Sequence, residues 1–136
     1  MSKLHEQSWY KETCSRLARY PVQLSRMKYL EFKLQRECMP SVKMVAHYGE
    51  KQPAGEHDTT NEERELNTLQ IAVRGIQLAL EALTEREREI IRLKYFEKMF
   101  DVDIYTELGI SNKTYYYYKD MAVEKIAECL GIKKMA

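Results

Sequence analysis

At 136 residues, with 44% hydrophobic and 32% charged residues, five Gly and three Pro, the chain has the size of one domain, or of a small domain plus an appendage, and is poor in helix breakers. These proportions exclude a disordered polyelectrolyte, and no stretch reaches the ~20 apolar residues that span a bilayer. The net charge of +1 excludes a global electrostatic argument for nucleic acid, but the two ends are basic and the middle acidic, so a local one stands.

The first residues, MSKLHEQSWYKE, lack the apolar core of a signal peptide. Cys14, Cys38 and Cys129 form no CxxC pair, so neither a disulfide framework nor a zinc site is expected, and reduced cytoplasmic thiols are the natural reading. His5, His47 and His57 are isolated and are expected to be solvated or in loops. Residues 4–38 predict a helical region in which Leu17, Tyr20, Leu24, Met27, Leu30 and Leu34 recur at helical spacing. Pro21 is expected to break this region or to start a second helix. The Lys and Arg side chains here read as a solvated face of a kinked helix or hairpin. Residues 39–58 lose periodicity and carry Pro40, Gly49, Pro53 and Gly55, which predicts a loop or linker. The expected organisation is therefore 1–58, an N-terminal helix or helical hairpin plus linker, and 59–136, a long helix plus the helical domain that follows it.

Thr60 and Glu63 have capping-box spacing. The helix they open carries Leu66, Leu69, Val73, Ile76, Leu80 and Leu83, a regular a/d seam that calls for a partner. Two partners fit: the N-terminal helices of the same chain, or a second copy in a homodimer. Thr84 and Glu87 make another capping box, opening a helix through LTEREREIIRLKYF. Its charged residues read as a solvated face.

Then comes DVDIYTELGISNKTYYYYKDMAVEKIAECLGI. A short helix over about 101–108, Gly109 as its left-handed stop, Ile110 as a core plug and Ser111 as the next N-cap make a helix-turn-helix. From Ser111 the apolar positions Tyr115, Tyr118, Ala122, Ile126 and Cys129 fall on one face, so Tyr115 and Tyr118 are expected inside, and Tyr116 and Tyr117 outside with Asn112, Lys113 and Asp120. The exposed set suits DNA: Asn can pair with adenine, Lys with guanine acceptors, and a tyrosine ring with a thymine methyl. Ser111, Thr114 and the helix N-terminus favour phosphate.

Residues 83–130 resemble the DNA-reading C-terminal region of bacterial sigma factors. More closely, DIYTELGISNKTYYYYKDMAVEKIAECLGI resembles the C-terminal signature of the ArpU family, phage- and prophage-encoded regulators of late transcription. The resemblance implies an all-α protein in which a helical N-terminal region precedes a sigma-like helix-turn-helix. It implies double-stranded DNA as partner, RNA polymerase as a further one, the bacterial host cytoplasm as location, and activation of packaging and lysis genes. The DNA-binding set is then Ser111, Asn112, Lys113, Thr114, Tyr116, Tyr117 and Lys119. Two other readings stand beside it: a small DNA-recognition subunit of a phage packaging terminase, and a helical interaction protein that binds no DNA. The chain carries no phosphate-cradling Gly loop, metal-ligand cluster or nucleophile elbow, so neither catalysis nor a cofactor is expected.

Overall fold

Residues 2–37 and 60–135 are described by a computed structural model, and every regular element among them is helical, which is the expected all-α class. The helices are α1 (Ser2–Glu6), α2 (Ser8–Glu37), α3 (Thr60–Glu81), α4 (Glu85–Ile91), α5 (Asp101–Leu108) and α6 (Asn112–Cys129). One π-helical turn, Arg92–Phe96, extends α4. The expected linker 39–58 lies outside the described residues, as do Cys38, His47 and His57.

The break expected at Pro21 is not there. α2 runs through Pro21 without interruption, and the bend in this region falls at Gln7 instead. A proline inside a helix removes one backbone hydrogen bond and crowds the preceding turn, at a cost of about 3 kcal/mol. Apolar burial on both sides outweighs it: Leu17, Tyr20, Leu30 and Leu34 are all buried, and a fully buried Leu contributes roughly 1.5–3 kcal/mol. Lys98 Nζ also donates to Ala18 O at 2.9 Å, in the turn before the proline.

The backbone divides into two compact units: Met1–Pro21 with Arg74–Ala136, and Val22–Val73. In the second, Leu30, Leu34 and Val73 are buried. Arg26 donates to both oxygens of Glu65 at 2.8 and 2.9 Å, and Lys33 Nζ reaches Glu62 at 2.5 Å. Along the a/d seam of α3, Val73, Ile76 and Leu83 are buried, and Leu66, Leu69 and Leu80 are half-buried.

The first unit holds the helix-turn-helix. Its core includes Leu17, Ile90, Ile91, Ile104, Tyr115 and Ile126, all fully buried. The Thr84 capping box forms as the spacing predicts: Glu87 N donates to Thr84 Oγ1 at 3.2 Å, and Thr84 N donates to Glu87 Oε1 at 3.0 Å. Glu87 is itself buried and accepts from Lys125 Nζ at 2.9 and 3.1 Å, which ties α4 to α6.

Candidate nucleic-acid interface

The turn between α5 and α6 is built by local residue chemistry. Gly109 sits at φ 69°, ψ 31°, a left-handed conformation in which a Cβ would crowd the backbone. Its N–H donates to Thr106 O at 3.2 Å, and Ile110 N–H donates to Tyr105 O at 3.1 Å, closing α5. Ser111 then caps α6, its Oγ accepting from Thr114 N at 3.1 Å. Ile90 and Leu93 pack with Ile104 and Tyr115, and Ile110 plugs this cluster from the turn. The cluster fixes α5 and α6 against α4.

The tyrosine run divides differently from the expected alternation. Tyr115 is fully buried and Tyr117 is 62% exposed, both as expected. Tyr116 and Tyr118 are half-buried, and both touch the core cluster. Lys119 is buried; its ammonium lies 5.4 Å from the Tyr116 ring centroid and 4.0 Å from Asp101 Oδ1. Cys129, expected inside, is exposed, while Ala127 is buried. The inward face of α6 is therefore Tyr115, Lys119, Ala122, Val123, Ile126 and Ala127. A lysine turns inward here because its stem is apolar and a carboxylate waits at its tip. Tyr116 and Lys119 are accordingly removed from the open face.

Asp101, the first residue of α5, is that carboxylate. It accepts from the hydroxyl of Tyr115, and from that of Tyr116 at 3.2 Å. Lys94 Nζ lies 3.2 Å from its Oδ1. Burial alone would raise the Asp101 carboxyl, but the Tyr115 hydroxyl and the ammonium groups of Lys119 and Lys94 outweigh it and hold it below the usual Asp range. Burial, and then the Asp101 acceptor, push the Tyr115 hydroxyl the other way, so it stays a protonated donor. Sequence reading missed Asp101. Its one local signal, an acidic residue in the first turn of a helix, reads as complementing the helix dipole.

Asp120 does not share the open face either. Its Oδ1 accepts from Tyr10 OH at 2.7 Å and lies 2.9 Å from His5 Nε2. His5 stacks on Tyr10 with ring centroids 4.6 Å apart. His5 is thus a half-buried helical residue that ties α1 to α6, where a solvated or loop histidine is expected.

What remains open on α6 is Ser111, Asn112, Lys113, Thr114 and Tyr117, all exposed. Among the described residues Asn112 and Lys113 have no side-chain partner, and the first turn of α6 holds no acidic residue. The face combines an amide, a free ammonium, two hydroxyls, an aromatic ring and the positive end of an 18-residue helix. Among the described residues, no group of His, Cys, Asp and Glu side chains could hold a metal ion, and no helix is long and apolar enough to cross a membrane.

Residues 57–127 match the model of a family described as a protein of unknown function, DUF1492. The match runs from the start of α3 through the helix-turn-helix and most of α6. No curated protein and no solved structure matches the chain.

Proposed function

The chain belongs to the DUF1492 family, and we propose that it is a sequence-specific DNA-binding transcriptional regulator of phage or prophage late genes, reading the major groove with α6. The observation that carries this reading is the contrast along α6. Tyr115, Lys119 and Asp120 are committed to the interior or to neighbouring helices, while Ser111–Thr114 and Tyr117 are open and free of carboxylates. Asn112 suits the paired donor and acceptor of adenine, Lys113 the acceptors of guanine, and the Tyr117 ring a thymine methyl. Ser111 and Thr114, with the helix N-terminus, suit a phosphate. The phage setting and the late genes rest on the ArpU-like signature over residues 103–132. A single helix-turn-helix covers a short site, so RNA polymerase bound alongside is the natural second partner.

The test is binding to duplexes selected from a random pool, measured across a salt series. The wild-type chain enriches a defined site. Lys113→Ala weakens binding and lowers the slope of log K against log salt by about 1. Tyr117→Ala relaxes preference at one base position, where a good contact is worth ~1–3 kcal/mol of discrimination. A chain that retains no duplex at low salt, or a Lys113→Ala variant with unchanged affinity and slope, would sink the reading.

A further inference from the structure

Resting on the DNA reading above, we propose that the groove between α4 and Tyr118 is a second DNA contact, one that holds a backbone phosphodiester beside the bases met by α6. The groove has a volume of about 780 Å³ and is lined by Arg86, Arg88 and Arg92, by Glu85 and Glu89, and by Tyr118 across from them.

Its donors are arranged rather than merely abundant. Arg88 is fixed from behind: its Nε donates to Leu80 O at 3.1 Å and its Nη2 to Leu83 O at 2.9 Å. A guanidinium has five N–H donors in a rigid fork, so a free edge remains for a second acceptor. Arg92 gives Nη1 to Glu97 and keeps its other donors. Arg86 and the Tyr118 hydroxyl have no partner among the described residues. The two glutamates nearly balance the arginines, so the groove does not attract anions by net charge. It suits a tetrahedral anion that takes several directed N–H and O–H bonds at once, which is phosphate chemistry.

Its position joins it to the proposed reading face. Tyr118 follows Thr114 by four residues, one turn further along the same side of α6. A strand whose bases meet the first turn of α6 carries its backbone past that side. The half-burial of Tyr118, which departs from its expected core role, thereby acquires a use: the residue packs against the core cluster and also lines the groove.

The experiment uses the full chain and a mixed-sequence duplex over a salt series, with the selected site as a second probe. Arg86→Ala and Arg92→Ala each lower the salt slope by about 1 and weaken both duplexes by similar factors, because phosphate contacts carry no base identity. Tyr118→Phe keeps the ring and weakens binding several-fold, again without changing sequence preference. Arg88 is left intact because it also braces backbone carbonyls. Arg86→Lys, which keeps the charge, restores the slope and serves as a control for folding along with circular dichroism. If the wild type binds and Lys113→Ala lowers its slope while the arginine and Tyr118 variants match wild type, the groove proposal alone is overturned. If the wild type binds neither duplex, the α6 reading falls and the groove proposal with it.

Discussion

Tyr115 and Tyr118 stand three residues apart on the same helix, and their energetics differ because of what meets each ring. Tyr115 is fully buried, packs against Ile90, Leu93 and Ile104, and donates its hydroxyl to Asp101. Tyr115→Ala is expected to cost about 3–5 kcal/mol, the range for removing a buried aromatic ring. Tyr115→Phe keeps the ring but takes one donor from a half-buried carboxylate that retains Tyr116 and Lys94, at about 1 kcal/mol. Tyr118 is only half-buried, so Tyr118→Ala is expected to lose a fraction of what Tyr115→Ala loses, in proportion to its smaller buried area. Urea denaturation of the three variants checks the order, and equal losses at the two positions would contradict the burial described.

Among the elements, the turn between α5 and α6 depends on one glycine. Nothing lies within 4 Å of where a Cβ would sit on Gly109, yet its φ is +69°. The penalty for a side chain is therefore backbone strain alone. Gly109→Ala is expected to lower stability by roughly 1–2 kcal/mol, with Gly109→Asn costing less, since Asn tolerates the left-handed region. A denaturation midpoint for the Ala variant equal to wild type would mean that the turn adopts another conformation. The π-helical turn behind α4 is a second element-scale feature. Glu97 N–H donates to Arg92 O at 2.9 Å, five residues back, and Lys98 follows at φ 56°. This turn ends α4 with Leu93 and Tyr95 both buried and leads the chain into Asp101.

At the scale of the molecule, one buried and one half-buried carboxylate, Glu87 and Asp101, link stability to pH. Burial opposes the charge of Glu87, but the Thr84 N–H and the Lys125 ammonium outweigh it and hold its carboxyl below the usual Glu range; Asp101 is held low as well. A carboxyl depressed in the folded state stabilises fully above its unfolded pKa, ~4.3 for Glu and ~3.9 for Asp. That stabilisation is lost as pH falls from there through the lower folded value. The melting temperature of the chain is thus expected to fall on acidification below about pH 4.5. The double variant Glu87→Gln, Asp101→Asn should melt lower at neutral pH and show a shallower acid limb. Calorimetry over a pH series measures both, and an unchanged acid limb in the variant would assign the loss to other carboxyls.

Local signals determined much of this protein from its residues alone. The Thr84–Glu87 box, the Gly109 stop and the Ser111 cap act over four residues or fewer, and each lies in the structure where its spacing puts it. The existence of the helix-turn-helix, and the openness of Asn112, Lys113 and Tyr117, follow from those caps and from helical periodicity. Only the tertiary structure decided which flank of α6 turns inward. Steps of three and four residues from Tyr115 straddle the same stripe, so hydropathy favours Tyr118, while the Asp101 carboxylate draws Lys119 inside instead. The same holds for Asp120 and His5, which meet across 115 positions, and for the α3 seam, of which Val73, Ile76 and Leu83 are buried. Caps and helix periods are short-range interactions written in adjacent residues. The partner of a polar group or an apolar stripe is set by what the completed fold brings within a few ångströms, and no spacing along the chain records that distance.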